Sequence, residues 1–186
     1  MNHSHERTAP GPAVILIGPP GSGKSTVGPL LAELLDVDFA DTDGLIAQRA
    51  GKPVGDIFIE DGEDAFRALE RSAVPEAIEE RRGVLALGSG SVLSPATRDL
   101  LARQRVVYLE TGFPAVARRS GLAGPHPPMP GNPRGRLRQM LEERRGLYEG
   151  VAWLTVPTDE LEPQKIAEEI AAAVAAGGGP GAEQRP

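Results

Sequence analysis

The sequence predicts an α/β domain, a parallel sheet of short strands covered on both faces by helices. Three observations predict it. The runs Ala13 to Ile17 (AVILI), Val84 to Leu87 (VLAL) and Val106 to Leu109 (VVYL) are continuously apolar, as strands buried on both faces should be. Segments with helical spacing of apolar residues separate them. The first run ends in a Gly/Pro cluster that leads straight into such a segment.

Taken in order, Ala13 to Ile17 is a buried strand, and Lys24 to Leu35 a helix with Val27, Leu30, Leu31, Leu34 and Leu35 on one face. Asp38 to Asp41 reads as a second strand, and Thr42 or Asp43 as the cap of a helix through Gln48. Residues 53–60 and 62–80 read as helices broken at Asp61-Gly62. After the strand 84–87 comes the turn Gly88-Ser89-Gly90, then a helix Pro95 to Arg103, the strand Val106 to Leu109 and a helix Phe113 to Arg119. Residues 120–135 hold five prolines and four glycines without apolar periodicity and read as a loop. A helix from about Arg136 to Tyr148, a strand Trp153 to Val156 and a helix Ile166 to Ala176 complete the pattern. One domain over 13–176 is expected, with disordered polar tails at 1–12 and 177–186.

Composition excludes several functions. A net charge of −6 with 4% aromatic residues and no basic stripe argues against nucleic acid as a partner. No run approaches the roughly 18 apolar residues of a membrane span, and the first residues lack the apolar region of a secretory signal. Without cysteine there is no disulfide, thiolate metal site or cysteine nucleophile. A cytoplasmic monomer acting on a small molecule is expected.

The chemistry is carried first by Gly18-Pro19-Pro20-Gly21-Ser22-Gly23-Lys24-Ser25-Thr26, which fits G-x-x-x-x-G-K-[ST] between a strand and a helix. Gly21 and Gly23 permit a backbone turn that aims N–H groups of residues 21–26 at phosphate oxygens, and the helix start adds its positive end. Lys24 supplies a mobile positive charge for the β- and γ-phosphates, and the Ser25 hydroxyl suits magnesium. ATP and Mg2+ are therefore expected, on a P-loop NTPase-type fold. With no Asn-Lys-x-Asp segment for guanine, a small-molecule kinase is the best class.

Asp41-Thr42-Asp43 closes the second strand, where a doubly wound sheet binds its ligands. One carboxylate there can hold magnesium-bound water and the other can accept a hydroxyl proton. Arg67 and Glu70 are helical neighbours, and alone they read as a surface pair; Arg144 and Arg145 alone read as a solvated face. Gly88, Ser89 and Gly90 could offer backbone N–H groups to a ligand.

The ordered series GPPGSGKST, DTD at 41–43, IFIEDGEDAFRALE at 57–70, LGSGSVLSP at 87–95, VVYLE at 106–110, GNPR at 131–134 and ERRGLY at 143–148 resembles the shikimate kinase family from about Val14 to Ile170. The resemblance implies transfer of the ATP γ-phosphate to the 3-hydroxyl of shikimate, in the chorismate route to aromatic amino acids. It implies Asp43 as substrate ligand and base, and Asp41 as a magnesium support through water. Arg67 and Arg144 would clamp the substrate carboxylate, with Glu70 holding both arginines. The turn at 88–90 would give an N–H to the substrate, Arg119 would lie against adenine, and 120–135 would form a mobile lid.

Three departures stand out. The turn carries Ser89 where the family has glycine, a source of strain if its φ is positive. His126-Pro127-Pro128-Met129 stands where the lid has Arg-Pro-Leu-Leu, and Thr158-Asp159-Glu160 lacks a basic residue the family often has near adenine. They keep open a kinase for another polyol acid, such as gluconate or a cyclitol acid, and a degenerate ATP-binding paralogue.

Overall fold

The computed structural model describes residues 11–119 and 132–177. Five strands form one all-parallel sheet: β1 (Val14–Ile17), β2 (Phe39–Asp41), β3 (Val84–Ala86), β4 (Val106–Glu110) and β5 (Leu154–Pro157). Their order across the sheet is β2-β3-β1-β4-β5, which puts β1 at the centre. The helices are α1 (Lys24–Leu35), α2 (Thr42–Ala50), α3 (Val54–Asp56), α4 (Glu63–Glu80), α5 (Pro95–Leu101), α6 (Phe113–Arg119), α7 (Pro133–Glu149) and α8 (Pro163–Ala175).

The continuous apolar strands are explained by two cores. Successive strand residues point to opposite faces. Val14 and Leu16 of β1, with Val84, Ala86, Val107 and Leu109, pack under α1 and α8. Ile15 and Ile17, with Leu85, Val106 and Tyr108, pack under α4, α5 and α7. A third, smaller cluster of Ile46, Ile57, Phe66 and Ala73 joins α2 to α4 beside Arg67.

Four local expectations are corrected. The helix expected over 53–60 is the short α3 followed by a π-helical turn, Ile57–Asp61, closed by a Gly62 N–H bond of 3.0 Å to the Ile57 carbonyl. Gly62 ends that turn at φ 88°, and Lys52 pairs with Glu60 and Asp61 across it. The cap of α2 is Asp41, not Thr42 or Asp43: its side chain accepts the Asp43 N–H at 2.9 Å. Helix α7 begins at Pro133, because Asn132 caps it through the Gly135 N–H at 3.0 Å and proline suits the first helical position. Residues 133–135 are thus helical rather than part of a loop, and residues 120–131 lie outside the described residues. Pro12, assigned to the polar tail, is buried. No helix among the described residues is long and apolar enough to cross a membrane.

Leu85 is fully buried at the centre of the sheet, whereas Ile59 is 84% exposed. In urea unfolding, Leu85→Ala should lower stability by about 2–5 kcal/mol, and Ile59→Ser should change it by less than about 0.5 kcal/mol.

Candidate active site

Three segments meet at the carboxyl ends of β1, β2 and β3: the phosphate loop, Asp41-Thr42-Asp43 and the turn Gly88-Ser89-Gly90. The loop leaves β1 and enters α1 through Gly23 at φ 97°, a conformation that side chains rarely adopt. Gly23 has no capping side chain, so the start of α1 is left open toward a ligand. The Lys24 ammonium bonds the Gly18 carbonyl at 2.9 Å, the Pro19 carbonyl at 3.0 Å and the Ser22 hydroxyl at 3.3 Å. Burial pulls this amine down to about 8, against the neighbouring Asp41 and Asp43.

A cavity of about 410 Å³ extends from residues 21–27 to Arg119, Thr158, Leu161 and Pro163. Arg119 is pinned at its edge, donating to the Gly21 carbonyl at 2.8 Å and the Thr158 carbonyl at 3.0 Å. The segment that lacks the basic residue is a bracket. The Thr158 and Thr111 hydroxyls lie 2.6 Å apart, and the Asp159 carboxylate accepts the Gly112 N–H at 3.0 and 3.1 Å.

The Ser25 hydroxyl donates to Asp41 Oδ2 at 3.1 Å. This is an oxygen-only pair of the kind that fits a hard cation retaining several waters, so the residues present suit magnesium. Asp43 faces inward. Its Oδ1 is buried and has no hydrogen-bond partner among the described residues. Burial first, then the Asp41 and Glu70 carboxylates, push Asp43 up to about 6, against the pull of Lys24 and Arg67.

Glu70 is only 5% exposed and organises the next layer. Its carboxylate accepts from Arg67 at 2.7 Å and from the Ser91 hydroxyl at 3.0 Å. Arg67 also donates to Glu63 at 3.3 and 3.4 Å. Glu70 therefore holds Arg67 but not Arg144, against the expectation that it would hold both.

Arg144 is held elsewhere. It donates to the Ser89 carbonyl at 3.2 Å, and Tyr148, one helical turn further on α7, donates to the same oxygen at 2.6 Å. The Gly88 N–H is bound to the Thr42 hydroxyl at 3.0 Å.

The turn explains its own composition. A Cβ at position 88 would lie 2.5 Å from Asp43 Oδ1 and 3.0 Å from Glu70 Oε1, and one at position 90 would collide with the Arg67 guanidinium. Ser89 lies between them without positive φ, so the anticipated strain is absent.

Every expected site residue within the described chain is brought to this end of the sheet. Residues that sequence reasoning gave no role in the site are Glu63, Ser91, Tyr148 and, beyond a candidate helix cap, Thr42. Thr42 was signalled by its place between the two aspartates, and Tyr148 by its spacing of four from Arg144. His126 and the lid tip lie outside the described residues.

The family model for shikimate kinase matches residues 20–175. A shikimate kinase of Thermobifida fusca (strain YX) is 53% identical over 167 residues, covering 90% of this chain and 97% of that one. The shikimate kinase of Salinispora arenicola (strain CNS-205) is 50% identical, covering 89% and 99%. Among solved structures, a shikimate kinase from Acinetobacter baumannii in complex with shikimate superposes with a TM-score of 0.81 at 33% identity, covering 90% and 94%. With a family model that spans most of its length and relatives at half identity over nine-tenths of it, the chain belongs to the shikimate kinase family and is an ATP-dependent kinase.

Proposed function

We propose that the chain transfers the γ-phosphate of ATP to the 3-hydroxyl of shikimate, as a step toward chorismate and the aromatic amino acids. The observation that carries this reading is the bare, buried Asp43 Oδ1, with Lys24 of the phosphate loop and Arg67 both close enough to favour its ionised form, and Arg144 held on the adjoining turn at Ser89. A polyol acid matches that arrangement end to end, with a hydroxyl for the carboxylate and a carboxylate for the arginines.

In this mechanism the 3-hydroxyl donates its proton to Asp43 Oδ1 as its oxygen attacks the γ-phosphorus. The bond to the β–γ bridging oxygen breaks and ADP leaves. Lys24 exchanges its loop carbonyls for phosphate oxygens, and the open N–H groups at the start of α1 take the β-phosphate. Ser25 directly, and Asp41 through water, would hold magnesium, which when bound neutralises charge on the β- and γ-oxygens. Arg119 offers its guanidinium plane to adenine, already braced by Gly21 and Thr158. Arg67 and Arg144 fix the acid so that only one hydroxyl reaches Asp43. The same reading makes the protein a cytoplasmic monomer with no nucleic-acid or membrane partner.

Asp43→Asn should lower kcat by on the order of 100- to 10,000-fold, as loss of a general base does. Lys24→Met should abolish turnover. An ADP-release assay with shikimate checks both, and near wild-type turnover in Asp43→Asn would remove the assigned base.

The raised Asp43 value has two consequences of stated sign. Because kcat/KM for shikimate needs the ionised carboxylate in the free enzyme, it should fall tenfold per pH unit below a midpoint near pH 6. A profile flat down to about pH 4.5 would contradict this. A carboxyl whose folded value is raised from 3.8 to about 6 binds its proton more tightly when folded, so its stabilising contribution is present below about pH 4 and lost as pH rises through 6. Asp43→Asn should therefore stabilise the free protein by roughly 1 kcal/mol at pH 7, after allowance for partial exposure, and by nothing below about pH 4. Thermal unfolding at the two pH values checks it.

A further inference from the structure

A second cavity, of about 290 Å³, lies on the other flank of α7, between that helix, α6 and the end of β4. Pro19 is the one residue it shares with the phosphate loop. Phe113 and Leu141 line it together with Tyr108 and Tyr148, whose rings are themselves buried. The Tyr108 and Tyr148 rings stack at 5.1 Å, 20° apart, and the Tyr108 hydroxyl makes no hydrogen bond to another described residue.

The rim carries two arginines against one carboxylate, Arg138 and Arg145 against Glu142. Arg138 lies over the Phe113 ring at 4.6 Å, which spends its face but leaves its in-plane donors available. Among the described residues Arg145 has no ion-pair or hydrogen-bond partner. A concave cavity near the lower size limit of small-molecule sites, bordered by aromatic and apolar side chains and by two cationic ones, has the chemistry of a flat apolar acid.

One contact joins this cavity to the substrate turn. Tyr148 borders the cavity and gives its hydroxyl to the Ser89 carbonyl, the same oxygen that holds Arg144. A ligand in the cavity abuts α7 at Tyr148 and so bears on how firmly Ser89 and Arg144 are held.

We propose that this cavity is a second ligand site, for a small aromatic carboxylate, whose occupancy is coupled to binding of the acid substrate through the Tyr148–Ser89 hydrogen bond. The carboxylate would sit between Arg138 and Arg145, with the ring on Phe113 and Leu141 beside the buried Tyr108–Tyr148 stack. Tyr148 is on this account a positioning residue rather than a catalytic one. The site is separate from the kinase assignment, and a direct binding readout keeps the two from failing together.

The test is an amide chemical-shift titration of the full chain with benzoate and 4-hydroxybenzoate, with cyclohexanecarboxylate as the non-aromatic control. Benzoate should shift signals of residues 108, 113, 141 and 148 with a millimolar-range Kd, and saturating shikimate plus a non-hydrolysable ATP analogue should not displace it. Arg145→Ala should weaken binding by about 10-fold or more, as loss of a charged hydrogen-bond partner does, while shikimate turnover without benzoate stays within about twofold of wild type.

Benzoate should also change KM for shikimate by at least about twofold in wild type, and not in Tyr148→Phe, which keeps the ring and removes the hydrogen bond. No binding at about 20 mM, equal binding to Arg145→Ala, or displacement by shikimate or the ATP analogue would overturn the site. A KM effect of benzoate that persisted in Tyr148→Phe, or its absence in wild type, would overturn the coupling.

Discussion

The site depends on keeping one carboxylate, Asp43, buried, close to two other acids and short of a hydrogen bond. Its Oδ1 has no partner among the described residues, and Asp41 and Glu70 both raise its proton affinity. Leaving a buried polar atom unsatisfied costs on the order of 1–3 kcal/mol, so the surroundings have to enforce it. They do so by committing nearby donors to other acceptors. The Asp43 N–H is taken by Asp41, the Gly88 N–H by the Thr42 hydroxyl oxygen, and the Ser91 hydroxyl and Arg67 by Glu70. Gly88 completes the arrangement by lacking a Cβ where one would press on the same oxygen. On the proposed mechanism, stability is given up at the position where a hydroxyl is bound and deprotonated.

Lys24 shows the complementary arrangement for the donor. An ammonium group this buried would be costly without partners, and it finds two carbonyls and a hydroxyl in its own loop. Those contacts keep the charge at the mouth of α1 until phosphate oxygens compete for it. The two halves are coupled by charge, since Lys24 and Asp43 each move the other toward ionisation.

Much of this was legible in the sequence, for physical reasons that also mark the limit. The strands β1, β3 and β4 were readable because burial on both faces leaves no polar position in AVILI, VLAL or VVYL. The phosphate loop was readable because its glycines, lysine and serine must be contiguous to wrap a phosphate. The π-helical turn at Ile57–Asp61 was not, because helical periodicity over five residues does not distinguish the two hydrogen-bond patterns. The start of α7 was hidden by Pro133 and Gly135, which read as loop residues until Asn132 is seen to cap them. Within the site, the contacts that escaped are long-range bonds from a side chain to a turn. Tyr148 reaches Ser89 across 59 positions; its spacing of four from Arg144 puts it on the same helix face but does not name its partner. The substitution of serine at 89 looked disruptive beside its two glycines. The structure separates the three positions, because 88 and 90 face Asp43, Glu70 and Arg67, while 89 has an ordinary backbone conformation and contributes its carbonyl.

The central claim is that the bare Asp43 oxygen is the hydroxyl site and that the two arginines are the carboxylate site. A crystal structure with shikimate and ADP tests it most directly. The account predicts a ring hydroxyl within about 3.2 Å of Asp43 Oδ1, with the shikimate carboxylate on Arg67 and Arg144. A complex in which Asp43 Oδ1 stays without a partner while the acid lies with its carboxylate toward Lys24 would contradict it.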